Sequence, residues 1–335
     1  MTANEFLEQR RRSSRERLEE LVAKLSESQR LTDQKACIYA TGSYARGEAS
    51  EHSDLDLFIV GRSTAPTDGS KPRRALSKLD EICVKAELIK ATRDLGIDEF
   101  SGDGQYLEHF TVDDLTGTLG RPDDDATNTF TARLLLLLES VPLLGGDVHA
   151  EAVRAVVDAY WRDYEGHESH FVPAYLANDI LRIWRTFCVN YEARTETDPP
   201  ERKAKRKLKN YKLKHSRLLT CYSGLLFLLA RFRVERTVSP DAAMLMVNLS
   251  PTRRLEQVAT DLPDVRAMVD AILVRYRAFL AWTDATEESL VATFLDSAAG
   301  RQRLMESYAF GDNVLELLEY LGEGEARRFY RLLVV

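Results

Sequence analysis

The amino-acid sequence predicts a mixed α/β domain followed by an all-helical domain. Two apolar runs with strand character, residues 36–42 and 54–60, lie on either side of a short Gly-containing turn. From about Thr127 onward, almost every segment has the apolar spacing of a helix. We therefore predict an α/β domain with a mixed sheet over residues 1–146 and a helical domain over residues 147–335.

The first domain is predicted to alternate helices and strands. Its N-terminal segment carries leucines, such as Leu18 and Leu21, as an apolar stripe among many charged residues, which is typical of an amphipathic helix. Prolines and small polar residues between the second strand and the next helix predict a loop. The predicted elements are a helix at 3–29, strands at 36–42, 54–60 and 105–112, and a helix at 73–95.

The second domain is predicted to consist of helices only. Just before this domain, the run Leu134–Leu138 is apolar on all sides and is therefore expected to be buried, and Pro142 and Gly145 end that element. We detect no internal repeat and no low-complexity segment. The predicted helices of this domain lie near 148–165, 172–194, 203–233, 239–248, 262–283, 285–298 and 301–321.

The composition is typical of a soluble globular protein. The 335 residues are 44% hydrophobic and 30% charged, and the four cysteines are far apart, without C-x-x-C spacing. This spacing argues against a zinc site or a disulfide framework and favours reduced thiols in a cytoplasmic protein. The chain does not open with a signal-peptide pattern, and its longest apolar run, near 218–229, is too short to span a bilayer. We therefore expect no membrane association.

The net charge of −7 is unevenly distributed along the chain. Residues 1–150 carry 19 Lys and Arg against 27 Asp and Glu, whereas residues 151–335 carry 27 against 26. The second half also contains a concentrated basic segment. Such an asymmetry bears more on binding partners than the total charge does.

The chemistry is concentrated around the turn between the first two predicted strands. Gly42 and Ser43 end the first strand, and Asp54 and Asp56 open the second. Residues two positions apart in a strand point to the same face, so two carboxylates would lie side by side and favour a divalent metal such as Mg²⁺ or Mn²⁺. Gly42 permits close approach of the backbone to a ligand, and Ser43 adds a hydroxyl near the free N–H groups of a following helix. Metal ligands beside a phosphate-binding turn indicate nucleotide chemistry.

This arrangement resembles the signature of the DNA polymerase β-like nucleotidyltransferase superfamily. The residues that carry the resemblance are Thr41-Gly42-Ser43 and, after a spacer, Asp54-Leu55-Asp56-Leu57. The wider run is similar to minimal bacterial nucleotidyltransferases and to the uridylyltransferases that modify nitrogen-regulatory proteins. The resemblance implies an α/β nucleotidyltransferase core, a metal pair on the two aspartates and a nucleoside triphosphate, such as ATP, as donor. It also supports a phosphate contact by Arg46, for which an ion pair with Glu48 or Glu51 is the alternative.

The two-metal scheme of this superfamily usually needs a third carboxylate from a neighbouring strand. Glu108 is the acidic residue well inside the third strand pattern and is our candidate for this metal ligand and base. An ordinary solvent-facing glutamate is the alternative interpretation. If the strand is shifted, the competing residues are Asp98, Glu99, Asp103 and Asp113.

A basic segment, Arg202–Arg217, carries nine Lys and Arg and no acidic residue. Helical spacing places Lys203, Lys207 and Lys214 along one side. Three interpretations stay open: a solvated helix face, contact with the triphosphate across a cleft between the domains, or a surface for an RNA or protein acceptor.

Upstream, the predicted helix around Asn178–Glu192 interleaves polar and large apolar residues. Polar groups this close to a buried helix face need partners. Arg182 and Arg185 are therefore candidates for nucleotide recognition, and an internal network with Asp179 is the alternative.

A pair of histidines, His167 and His170, precedes this helix. Their spacing is not that of the zinc-protease pattern H-E-x-x-H. We interpret both as surface residues.

The sequence therefore predicts an enzyme that transfers a nucleoside monophosphate from a nucleoside triphosphate to an acceptor hydroxyl and releases pyrophosphate. The acceptor is open: an RNA or tRNA 3′ end, a protein side chain or a second nucleotide. A module that binds a nucleotide or RNA without catalysis is the alternative function. The motif handles the donor, so it does not distinguish among acceptors.

Overall fold

A computed structural model describes residues 3–64, 73–97, 107–192 and 199–334 of the chain. The chain forms two compact units, one over residues 4–162 and the other from Asp163 onward. The predicted division at residue 146 falls before a helix that packs on the sheet of the first unit. That these two predicted segments are separate domains stays a prediction.

The first unit contains helices and short strands in alternation. Its helices are α1 (Ala3–Val22), α2 (Ser26–Thr32), α3 (Gly42–Arg46), α4 (Lys78–Asp94), α5 (Val112–Gly117), α6 (Asp123–Ala126), α7 (Thr129–Leu138) and α8 (Gly146–Tyr160). Its strands are β1 (Ala36–Thr41), β2 (Asp56–Gly61), β3 (Ser63–Thr64), β4 (Arg73–Arg74), β5 (His109–Thr111) and β6 (Val141–Leu144).

Four of these strands form one sheet in the order β5-β2-β1-β6. Strand β1 pairs antiparallel with both β2 and β6, and β2 pairs parallel with β5. The predicted mixed sheet is confirmed. Its register pairs Thr41 with Asp56, which brings the end of β1 beside the start of β2.

Both faces of the sheet are covered, which explains why β1 and β2 read as nearly continuous apolar runs. On one face, Ile38, Leu57 and Ile59 belong to a buried cluster that also contains residues of α1, α2 and α4. On the other face, Tyr39 stacks on Phe58 with ring centroids 5.7 Å apart. Helix α8 contacts β1 and β2.

The described part of the second unit is helical, as the sequence predicts. Its helices are α9 (Ala174–Glu192), α10 (Pro200–Lys212), α11 (Leu218–Glu235), α12 (Pro240–Val247), α13 (Pro251–Asp261), α14 (Arg266–Trp282), α15 (Glu287–Leu295), α16 (Ser297–Leu321) and α17 (Arg327–Val334). A π-helical turn, Leu213–Arg217, connects α10 to α11, and short 3₁₀ turns, Pro263–Val265 and Gly324–Ala326, precede α14 and α17.

Several boundaries differ from the prediction. The predicted N-terminal helix is two helices, because the backbone at Leu25 leaves the helical region (φ −107°, ψ 39°). The predicted third strand is shorter, and its residues 105 and 106 lie outside the described residues. Strand β6, helix α13 and helix α17 were not predicted.

Within the described residues, no helix is both long and apolar enough to cross a membrane. The four cysteines are all free thiols.

Candidate active site

The turn from β1 into α3 requires glycine at its first residue. Gly42 has a φ of +70°, in the left-handed region that disfavours other residues. A Cβ added at Gly42 would lie 3.1 Å from Oδ2 of Asp56, closer than an ordinary van der Waals contact. The next residue, Ser43, is half-buried in the first turn of α3. Glycine therefore brings the backbone of the predicted phosphate-binding turn against the carboxylate of Asp56.

The two motif aspartates lie at the entrance of β2. Asp56 is its first residue and is half-buried, whereas Asp54 is exposed and precedes the strand by two residues. Leu55 and Leu57 are 0% exposed and belong to the core, as the alternation predicts. The apolar side chains thus fix this segment and leave the two carboxylates outside the core.

Glu108 precedes β5 and is exposed, so it does not lie well inside the strand as the sequence predicts. Its carbonyl accepts a hydrogen bond from the N–H of Ile59 at 3.2 Å. The parallel register pairs Ile59 with His109, which aligns Glu108 with Phe58. Glu108 thus lies just outside the paired residues of β5, and its role as the third carboxylate stays a prediction.

The described residues contain no group of three or more His, Cys, Asp or Glu side chains that could hold a metal ion. Glu108 is therefore not gathered with the two aspartates into such a group. Among its competitors, Asp113 is exposed in the first turn of α5. The other three, at positions 98, 99 and 103, lie outside the described residues. The donor set of Asp54 and Asp56 still fits Mg²⁺ or Mn²⁺, since Mg²⁺ is often held by one or two carboxylates together with substrate phosphates.

Arg46 is buried at the C-terminal end of α3. Its Nε donates to Glu48 and one terminal nitrogen donates to Glu139, each at 2.7 Å. The ion pair with Glu48, an alternative that the sequence left open, is present. Glu139 ends α7 and was not anticipated. The guanidinium thus connects the turn at Gly42 to the end of α7, and its predicted phosphate contact stays a prediction.

A cavity of about 580 Å³ lies at the β5 edge of the sheet. Basic, acidic and hydroxyl side chains surround it. They are Arg74, Lys78, Glu81, Lys85, Glu108, His109, Phe110, Asp114, Thr118, Thr127 and Thr129. The candidate third carboxylate therefore faces a space large enough for a small molecule.

The basic side of this cavity is organised around Glu81, which is 2% exposed. Lys85, Lys78 and Arg74 approach its carboxylate at 2.6, 3.4 and 3.5 Å, and His109 Nδ1 lies at 3.2 Å. Burial would raise the pKa of Glu81, but the hydrogen bond and charge of Lys85, followed by those of His109, hold that pKa at about 2. Burial lowers the pKa of His109. The glutamate is therefore ionised and surrounded by positive charge.

Sequence reasoning missed this cluster. Lys78 and Lys85 flank Glu81 at i−3 and i+4, spacings that place charges together on one helix face and offer a usable signal. His109 is distant in sequence, so its contact depends on the packing of α4 beside β5.

In the second unit, the predicted nucleotide-binding arginines lie on α9. Arg182 is partly exposed, and its guanidinium is 3.9 Å from the carboxylate of buried Asp179. Arg185 is exposed one turn further along. The Asp179–Arg182 pair matches the internal network that the sequence left as an alternative. Nucleotide contact by either arginine stays a prediction.

The predicted lysine stripe lies on α10 and the π-helical turn. Lys203 and Lys207 are exposed, whereas Leu208 of the same helix is buried. Lys214 is half-buried, and its ammonium lies 4.5 Å from the centroid of the Tyr308 ring. That the three lysines share one side of the helix stays a prediction, as does their ligand.

The fold and the turn define a class of protein: an α/β protein in which a glycine-containing turn lies against Asp56, the second aspartate of the motif. Residues 18–101 match a family model described as "Nucleotidyltransferase domain". The chain therefore contains a nucleotidyltransferase domain, and the prediction of a nucleotidyltransferase enzyme is confirmed. This segment includes Gly42, Ser43, Asp54 and Asp56 and ends before Glu108. Comparisons with curated proteins and with solved structures gave no match.

Proposed function

We propose that the protein transfers a nucleoside monophosphate from a nucleoside triphosphate to an acceptor hydroxyl and releases pyrophosphate. One observation carries this proposal: within the family-matched segment, the backbone of Gly42 lies against the carboxylate of Asp56. That contact supports a site where a phosphate-binding turn and metal-binding carboxylates act on one substrate.

In this proposal, Asp54 and Asp56 hold Mg²⁺ or Mn²⁺. When bound, the metal neutralises phosphate charge and favours loss of the proton from the attacking hydroxyl. Ser43 and the backbone of Gly42 position the triphosphate. The acceptor oxygen forms a bond to the α-phosphorus, while the bond from that phosphorus to the bridging β-phosphate oxygen breaks. Pyrophosphate departs with that oxygen, and Glu108 takes the acceptor proton.

Arg46 acts in this proposal as a positioning residue. Its guanidinium is already engaged by Glu48 and Glu139 beneath the turn. Because both carboxylates are buried, the three charges form a network with little freedom to reorient. The network therefore holds α3, and with it Ser43, at the mouth of β1 and β2.

The acceptor is an RNA 3′ end, including tRNA, or a protein side chain. The basic stripe Lys203, Lys207 and Lys214 supports an anionic substrate, either the triphosphate or an RNA acceptor. Arg182 and Arg185 supply further candidate contacts to the nucleotide. The second unit is in this proposal the part that recognises substrates.

The test is transfer of label from each α-labelled nucleoside triphosphate, with Mg²⁺ or Mn²⁺, to total cellular RNA or protein. Asp54→Asn and Asp56→Asn should each abolish transfer without changing the urea midpoint, because these side chains lie outside the core. Chelation with EDTA should abolish it as well. Full transfer by either variant would refute the mechanism.

A second candidate function is nucleotide sensing without turnover. It is favoured by the absence of a three-carboxylate group among the described residues, since the two-metal scheme normally uses three. Calorimetric binding of a triphosphate with no transfer under any of the conditions above would establish sensing and overturn catalysis.

A further inference from the structure

The second unit contains a basic cavity that the proposed function does not use. Its volume is about 650 Å³, within the range of small-molecule sites. Three arginines of α17, Arg327, Arg328 and Arg331, line it together with His167 and His170. The cavity belongs entirely to the unit that begins at Asp163.

Two of the three arginines lie at the end of the helix that disfavours positive charge, and the third, Arg331, lies in its last turn. Arg327 and Arg328 lie in the first turn of α17, where the helix dipole disfavours positive charge, and this turn has no acidic residue. Arg327 and Arg331 are four residues apart, a spacing at which like charges repel. All three are exposed, and within the described part of the chain they form no hydrogen bond or ion pair. An anion bound in the cavity would offset both the unfavourable interaction with the helix dipole and the repulsion between the arginines.

The remaining lining adds apolar surface to this charge. Phe171, Val172 and Leu332 contribute to the wall, and Leu332 is 39% exposed. His167 Nδ1 donates to the carbonyl of Asp163 at 3.1 Å, and His170 Nδ1 is 2.7 Å from Ser169 Oγ. These two contacts involve Nδ1 of each ring and not the other ring nitrogen, Nε2. The cavity therefore combines concentrated cationic groups with an apolar wall.

We propose that this cavity binds a phosphate monoester that carries an aromatic body, with a nucleoside monophosphate as its representative. Three guanidinium groups in one place suit the two charges of a monoester, and guanidinium forms paired hydrogen bonds with phosphate oxygens. Inorganic phosphate would leave the apolar wall uncovered. The monoester is either a free nucleotide or the 5′ end of a polynucleotide, and both present the same chemistry.

The test is calorimetric titration of the full chain with AMP in EDTA, where metal-dependent binding at Asp54 and Asp56 is removed. The variant Arg327→Gln/Arg328→Gln/Arg331→Gln should bind AMP roughly tenfold or more weakly than the wild type, since it loses charge-assisted hydrogen bonds. Arg301→Gln, at an exposed arginine of α16, is the matched control and should bind as the wild type does. Equal urea midpoints for all three proteins would show that the fold is kept.

Two further ligands sharpen the test. Adenosine should bind much more weakly than AMP because it lacks the phosphate. The second ligand is a short RNA with a 5′-phosphate, compared with the same RNA without it. If only the phosphorylated RNA binds more tightly than AMP, the ligand of the cavity is the 5′ end of a polynucleotide. Absence of AMP binding would overturn the proposal, as would equal binding by the triple variant. Transfer activity is not the readout, so failure here leaves the proposed function untouched.

Discussion

Replacing Gly42 by alanine tests the contact on which the proposed function rests. The substitution has two consequences that the structure separates. A residue with a Cβ at a φ of +70° costs about 1–2 kcal/mol of folding free energy. The new methyl group would also lie 3.1 Å from Asp56 Oδ2, so the carboxylate must move by a few tenths of an ångström.

Gly96 is the matched control for this experiment. Its φ is +62°, and an added Cβ would meet nothing within 4 Å. Gly96→Ala therefore carries the backbone cost alone. We expect both variants to lose about 1–2 kcal/mol in urea unfolding. Only Gly42→Ala should lose nucleotidyl transfer, by roughly tenfold or more, because small displacements of catalytic groups are costly.

Comparing the transfer rates of the two variants separates the effect of the Gly42–Asp56 contact from the effect of backbone strain alone. Equal transfer rates for Gly42→Ala and Gly96→Ala, measured on folded protein, would refute the proposal that the Gly42–Asp56 contact positions catalytic groups. A shift in the Mn²⁺ concentration that supports half-maximal transfer by Gly42→Ala would locate the defect at the metal-binding carboxylate.

Three other predictions concern charged groups. Glu139→Gln leaves its buried arginine partner with one carboxylate, that of Glu48, and should lower the free energy of unfolding by about 1–3 kcal/mol in urea denaturation; an unchanged midpoint would contradict this. Glu81 has a pKa of about 2 in the folded protein against an ordinary value of 4.5, so its stabilisation is complete above pH 4.5 and is lost as pH falls towards 2. Glu81→Gln should remove that part of the pH dependence, about 3 kcal/mol, and an identical pH profile for both proteins would count against it. Replacing Lys203, Lys207 and Lys214 together by alanine should weaken triphosphate or RNA binding and reduce its salt dependence. Unchanged binding would show that these lysines face solvent without contacting a ligand.

The features predicted correctly are those encoded by local patterns. Continuous apolar runs gave the positions of β1 and β2, and alternation placed Leu55 and Leu57 in the core. The glycine-containing turn was predicted from residue type and spacing, whereas the side-by-side placement of Asp54 and Asp56 stays a prediction, since β2 begins only at Asp56. These features need only neighbouring residues to define them.

The missed features depend on contacts between distant residues. Strand β6 contains Pro142, which weakens a strand pattern, and it forms because β1 offers an open edge. Glu139 and Arg46 are 93 positions apart in the sequence, so no local pattern predicts their ion pair. The π-helical turn that divides the predicted helix at 203–233 surrounds buried His215, which stacks on Phe279 from another helix.

The strand order has a consequence for how the protein can be dissected. The family-matched segment, residues 18–101, contains β1 and β2 but neither β5 nor β6. A fragment cut there would leave both edges of a two-stranded ribbon open, and such ribbons are marginal in water. It would also leave Arg46 without Glu139. The part of the chain that identifies the family is thus shorter than the part that must fold to build its site.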